Sequence, residues 1–464
     1  MTEAPGGALQ AALQYAQENR ERFLSELIEF VRIPSVSTDP ERKGEMQAAA
    51  EWVAGQLRGL GFSGVQVYPT PGHPVVYGER LDQPGAPVIL VYGHYDVQPA
   101  EPLELWDSPA FEPAQRGENL FGRGVSDMKG QVVASLKAVE SVLRAAPNEG
   151  LPVNVKFLVE GEEEIGSPNL GAFLTGNREL LACDFCLNPD AGMIDPDNPS
   201  ITYGLRGLAY FELRVKGPQH DLHSGIFGGA VHNPAQVLCE LIAGMHDEQG
   251  RITLPGYYDS VRPLSQEERD ELARLPMDEA FYKQAAGVER LYGEAGYTPV
   301  EQVGARPTLE VNGLLSGFTG EGSKTVLPAW AMAKISMRLV PDQDPAEVHR
   351  QLVAYLEQKA PPTVTWEVTQ MAGGRASLTD RETAGVKAMA HALRTVWGKR
   401  PLYKREGGSI PVVGDMQELL GIRSIVCGFG LMDDNAHGPN EKQHLPTWER
   451  GIQALIHFFY NLEL

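Results

Sequence analysis

The chain has 464 residues, 42% hydrophobic and 22% charged, the make-up of an ordinary globular protein rather than a mainly disordered one. That length calls for two or more domains and a core that needs no disulfide staples. Acids outnumber bases 61 to 40, and the net charge of −21 excludes a basic surface for nucleic acid or anionic membrane.

The first residues, MTEAPGGALQ, carry no basic stretch and no apolar core. No segment approaches the ~18 continuous apolar residues of a membrane span. The expectation is a cytoplasmic protein with neither signal peptide nor transmembrane helix. Of the four cysteines, Cys183 and Cys186 form a CxxC, whereas Cys239 and Cys427 stand alone. A structural zinc knuckle needs a second pair, so these read as ordinary thiols.

Residues 8–36 place Phe23, Leu24, Leu27, Ile28 and Val31 on one helical stripe, which Pro34 stops. Residues 45–60 form a second predicted helix, ending at Gly61. Three short apolar runs follow, VQVY, PVVYGE and APVILVYG, the last reading as a buried strand. A helix over 128–145, a strand over 153–160 and a short strand in FCLNPD at 185–190 continue the alternation. Strands alternating with helices predict an α/β domain with a mainly parallel central sheet. Ligands then gather at the carboxyl ends of the strands.

The pattern changes near residue 204. TYGLRGLAYFELRVKG alternates like half-buried strand, and a helix over 234–245 opens on a proline. Signals are mixed between Gly250 and Pro307. Strands near 308–312 and 330–339, a helix over 345–358 and a strand over 363–370 follow. These predict a smaller sheet-and-helix domain inserted at 205–375. Residues 1–204 and 376–464 form the first domain, completed by a helix over 382–396 and the strand RSIVCGF.

Several strand-like runs end in acidic or histidine-bearing turns. In VILVYGHYDVQP, His94 and Asp96 are two apart, so on a strand they share a face. A strand-end imidazole can bind metal, and a nearby carboxylate can fix its tautomer. Asp127 lies in the glycine-rich LFGRGVSDMKG, where it can equally be a helix N-cap. In FLVEGEEEIGS, Glu162, Glu163 and Glu164 crowd the end of an apolar strand, at an electrostatic cost unless a cation or solvent relieves it. Asp190 closes CLNPDAG. Far downstream, DDNAHGPNE offers His437, with Glu441 near it. Zinc accepts this mixture of imidazole nitrogen and carboxylate oxygen. Two ions about 3.5–4 Å apart can share a bridging carboxylate and an activated water. Of Glu163 and Glu164, one can serve as base and one as ligand; spacing does not decide which. No nucleophile-elbow G-x-S-x-G surrounds Ser224 or Ser409, which argues against serine hydrolase chemistry.

The segments HYDVQP, GRGVSDMKG, EGEEEIGS, NPDAG, DLHSGIFGG, REGGSIP and NAHGPNE occur in that order over residues 15–460. Together they resemble the M20 family of di-zinc metallopeptidases, near its carnosine and non-specific dipeptidase branch. The resemblance implies a zinc-exopeptidase-like α/β catalytic domain and an inserted α+β lid that often dimerises. It implies two Zn²⁺ per subunit, with Mn²⁺ or Co²⁺ as substitutes. His94 and Asp190 would hold one ion, Glu164 and His437 the other, and Asp127 would bridge them. Glu163 would be the general base and Asp96 the partner of His94. His223 would support the oxyanion, often in the other subunit's site. Arg338 would grip the substrate carboxylate, with Asn312 and Thr325 as helpers, while Glu406, Gly408 and Ser409 would contact the substrate amine and backbone.

The implied activity is hydrolysis of dipeptides or short peptides in a homodimer, with no nucleic acid or membrane partner. Two alternatives stand beside it. One is deacylation of N-acyl amino acids or N-succinyl or N-acetyl diamino acids on the same scaffold. The other is a non-catalytic metal- or peptide-binding protein.

Overall fold

The computed structural model describes residues 6–462 apart from 146, 148 and 149. Residues 1–5 of the N-terminal stretch read above lie outside the described residues. Among the described residues, no helix is long and apolar enough to cross a membrane.

The chain forms two compact units. One comprises 1–203, 379–403 and 411–464; the other comprises 204–378 and 404–410. In the first, the strands run in the order Ser63–Tyr68, Val75–Arg80, Asn154–Glu160, Val88–His94, Phe185–Asn188, Ser424–Cys427 and Ser200–Leu205. The central four are parallel. Each is nearly all buried, as the continuous apolar runs demand. The flanking pairings are antiparallel, so the sheet is mixed and only its centre is parallel. A short link explains one flank: residues 69–74 join Ser63–Tyr68 to Val75–Arg80, too few for the crossover that parallel strands require.

The first helical stretch is two helices, Gly6–Glu18 and Arg20–Val31. They break at Asn19, whose side-chain amide donates to the Tyr15 carbonyl at 2.9 Å. This is the local side-chain competition that makes asparagine a poor mid-helix residue. The helix Gly130–Ala145 is buried over most of its surface, Lys137 included. That ammonium is tolerated because it pairs with Glu140 at 2.9 Å and with Glu26.

The second unit is a four-stranded antiparallel sheet, ordered Thr308–Ser316, Trp330–Leu339, Gly207–Lys216 and Thr365–Gly374. Strict alternation turns Ala209, Phe211, Leu213 and Val215 to one face. Helices Pro234–Ala243 and Pro345–Lys359 contribute Val237, Leu241, Val348 and Leu352 to the same core. Both helices carry proline in the first turn behind a side-chain cap, Asn233 and Asp344. Between 250 and 307 lie three short helices, Gln266–Leu272, Glu279–Ala286 and Pro299–Ala305. The last is opened by a Thr298–Glu301 capping box.

Candidate metal centre

His94 is the last residue of the central strand Val88–His94 and pairs in register with Glu160. Its ring is fully buried. Nδ1 lies 3.0 Å from the Asp96 carbonyl and 3.4 Å from Asp96 Oδ1. That contact turns Nε2 outward, 3.2 Å from Asp127 Oδ1 and 3.9 Å from Asp190 Oδ2. The Asp96 carboxylate also accepts the backbone N–H groups of Glu163 at 3.3 Å and Glu164 at 3.1 Å. One buried aspartate thus fixes the imidazole and the glutamate turn together.

Asp127 sits in a turn opened by Gly124, whose φ of 80° and 2.2 Å Cβ approach to Val97 Cγ1 require a glycine. Its second oxygen is 2.8 Å from His437 Nε2, which is also 3.2 Å from Glu164 Oε2. Gln98 donates to that Glu164 oxygen at 2.8 Å. Two triads result, His94–Asp127–Asp190 and Asp127–Glu164–His437, each with its ligand atoms within 4.8 Å of one another. Asp127 belongs to both and offers a different oxygen to each imidazole.

The electrostatics follow from this crowding. Burial alone would lower His94, but hydrogen bonds to Asp127 and Asp96 outweigh it and hold the imidazole well above its ordinary value. Hydrogen bonds to Asp127 and Glu164 raise His437 to about 10. Burial works to raise Asp127, and the two imidazoles override it, holding the carboxyl well below the usual range. Burial pushes Glu163 up to about 8; Asp190, Glu164 and Asp127 add repulsion while His94 opposes it. The raised imidazoles and the lowered Asp127 share one cause, carboxylates gathered closely around two histidines. The same nitrogen and oxygen atoms are of the kinds that divalent ions accept, and Asp127 is common to both clusters.

The other expected site residues lie in the second unit. Arg338, on strand Trp330–Leu339, donates from Nη1 to Ser409 Oγ at 3.0 Å, and Ser409 in turn donates to the Arg206 carbonyl at 2.7 Å. Arg338 and Asn312 line a cavity of about 440 Å³ with Arg206, His246, Glu310 and Tyr292. Burial, and then the neighbouring Arg338 charge, lower Arg206 to about 10. His223 is exposed, and its Nδ1 accepts the Gly225 N–H at 3.0 Å. Thr325 accepts the Ser224 N–H through its backbone carbonyl. Glu406 is ion-paired to Lys404 at 2.5 Å, and Gly408 is exposed.

Sequence reasoning missed three contributors. Gln98 orients Glu164, Glu441 binds the Asp127 turn, and Asp434 accepts from Ser126 Oγ at 2.8 Å. Glu441 stood in a recognised segment, but nothing in its spacing pointed to a partner. The four cysteines are free thiols, and burial pushes Cys183 up to about 12.

An α/β domain that gathers two such triads on one shared carboxylate suits a metal-dependent hydrolase. The profile of Peptidase family M20/M25/M40 matches residues 90–461, and this chain belongs to that family of metallopeptidases. The Beta-Ala-His dipeptidase of Homo sapiens is 31% identical over 475 aligned residues, covering 99% of this chain and 93% of that protein. The Cys-Gly metallodipeptidase DUG1 of Candida albicans is 30% identical and covers 97% of each chain. Among solved structures, the M20 family metallo-carboxypeptidase Sso-CP2 from Sulfolobus solfataricus superposes with a TM-score of 0.83 at 34% identity, over 95% of this chain and 99% of that one.

Proposed function

We propose that the protein hydrolyses the peptide bond of dipeptides or short peptides with a free C-terminal carboxylate, using two divalent ions. The observation that carries this reading is the shared Asp127, one oxygen toward each triad, with Glu163 coupled to the same charges. His94 and Asp190 would hold one ion, Glu164 and His437 the other, and Asp127 both. When bound, such ions supply Lewis acidity and lower the pKa of a coordinated water to about 7. Zinc suits the donors, and manganese or cobalt can replace it.

Glu163 accepts the proton of the attacking water and delivers it to the leaving amine. Its elevated affinity for protons suits both halves of that transfer. Asp96 keeps His94 in the tautomer that turns Nε2 toward Asp127. His223 steadies the oxyanion that develops on the substrate carbonyl. Arg338 grips the substrate carboxylate, a task for a forked guanidinium, with Asn312 and Thr325 beside it. Glu406, Gly408 and Ser409 meet the substrate amine and backbone, and the second unit joins two copies into a homodimer. The names of the relatives, a Beta-Ala-His dipeptidase and a Cys-Gly metallodipeptidase, support dipeptides as the substrate class.

The test is turnover of dipeptides, tripeptides and N-acyl amino acids by protein loaded with zinc, manganese or cobalt. Dipeptides are expected to give the highest kcat/KM. Preferential cleavage of N-acyl amino acids would replace this reading with a deacylase, and no cleavage with any metal would replace it with a binding protein.

A further inference from the structure

Four of the five residues of the two triads, Asp127, Glu164, Asp190 and His437, lie in turns and short connecting segments outside the strands and α-helices. Two of those turns, around Asp127 and His437, share an anchor outside the triads. Glu441 is fully buried, and its carboxylate is filled by donors from the Asp127 turn. Oε2 accepts Gly124 N–H at 2.7 Å and Arg123 Nη1 at 2.8 Å. Oε1 accepts Ser126 N–H at 3.0 Å and Asp127 N–H at 3.1 Å. The Glu441 carbonyl accepts Gly122 N–H at 3.0 Å, and Arg123 Nη2 reaches on to the Gly438 carbonyl at 3.1 Å. The turn carrying Asp127 is thereby stitched to the loop carrying His437.

That loop needs holding. Asn435, His437 and Asn440 take φ values of 53°, 66° and 58°, a left-handed conformation that costs non-glycine residues energy and persists only where surroundings impose it. Glu441 follows directly.

We infer that Glu441 is the positioning residue of the Asp127–Glu164–His437 triad, locking the bridging carboxylate and the His437 loop in register. It neither touches substrate nor ligates an ion; it acts through Asp127 and His437. The inference rests on the di-metal reading above and adds an asymmetry to it. Disturbing Glu441 loosens both ions through Asp127, and loosens more the one that also depends on His437.

The experiment titrates metal-free full-length protein with zinc by calorimetry, and with cobalt by its absorption bands, beside a thermal melt. In Glu441→Gln, the amide must present NH₂ to N–H donors on one side, so two of the four bonds are lost. The ion of the His94–Asp127–Asp190 triad is expected to weaken by less than about tenfold, through Asp127 alone. The other is expected to weaken about 10- to 100-fold, the usual cost of losing a partner behind a ligand. Arg123→Lys keeps the buried charge pair but cannot serve both Glu441 and Gly438. It is expected to weaken the same ion by less than about tenfold, and it decides the question if Glu441→Gln does not fold. Unchanged binding of both ions, or equal loss of both, overturns the inference. A wild-type protein that binds fewer than two ions overturns the di-metal reading instead.

Discussion

The metal centre and the charged residues of the second unit are built in opposite ways. In the first, groups that repel one another are forced together and each is held from behind. Asp96 accepts two backbone N–H groups and faces His94, Gln98 holds Glu164, and Glu441 absorbs four donors of the Asp127 turn. In the second, Arg338 has a single described side-chain hydrogen bond, to a serine hydroxyl, while His223, Asn312 and Thr325 are exposed. The first arrangement is preorganised for ions of fixed geometry. The second leaves donors unspent, as the substrate contacts proposed for these groups require. The contrast separates metal affinity from substrate affinity, and substitutions can break or sharpen it.

The largest effect belongs to Glu163. Its position is coupled by charge to both triads, yet it is not a member of either. Glu163→Gln is expected to lower kcat about 10³-fold, within the usual range for losing a general acid–base. Two ions should remain bound, as counted by elemental analysis. Full hydrolysis in that variant would remove Glu163 from the reaction. Chelation supplies the complementary measurement. An ion that binds only the folded state adds about 4 kcal/mol at a thousandfold excess over its Kd. Stripping the ions should therefore lower Tm in wild type and Glu163→Gln alike.

Asp96 comes next. Asn at this position keeps one acceptor oxygen where the carboxylate serves His94 and two backbone N–H groups. His94 lies in one triad and Glu164 in the other, so Asp96→Asn is expected to weaken both ions, by about 10- to 100-fold. Calorimetry with zinc distinguishes this from the unequal loss expected at Glu441. A variant that binds both ions normally would show that the backbone of the glutamate turn holds itself.

Much of this arrangement was written locally. VILVYGH and VNVKFLVE read as buried strands because their apolar runs are continuous, and the acidic turns follow directly. The change of period, from buried runs to the alternation of GLAYFELRVK, marked a strand with one buried face. What escaped depends on residues far apart in sequence. Glu441 meets Asp127 across 314 positions, a pairing made by tertiary packing and absent from any periodicity. The antiparallel flanks escaped because apolar content marks a buried strand without giving its direction. The break at Asn19 escaped because apolar residues continue on both sides of it, and only the side-chain bond to Tyr15 shows where the helix ends.

The smallest effect sits in the second unit and tests its half of the contrast. Arg338 is half-buried beside the Arg206 guanidinium, and no carboxylate is among its described hydrogen-bond partners. Two cations side by side repel, and an incoming carboxylate relieves that repulsion. Its grip on Arg338 is partly screened by water, so the lower end of the range for charged hydrogen bonds applies, about 1.5 kcal/mol or roughly tenfold. Arg338→Met is expected to lower kcat/KM for a dipeptide about tenfold, chiefly through KM, while metal content stays at wild type. For the C-terminal amide of the same dipeptide the variant should match wild type, since the amide offers no carboxylate to lose. Arg338→Lys keeps the charge and loses the fork, so its recovery for the free acid measures how much of the contact is bidentate. An equal loss on acid and amide would mean that Arg338 supports the strand Trp330–Leu339 rather than the substrate. A loss of metal along with KM would mean that the two regions are not separable.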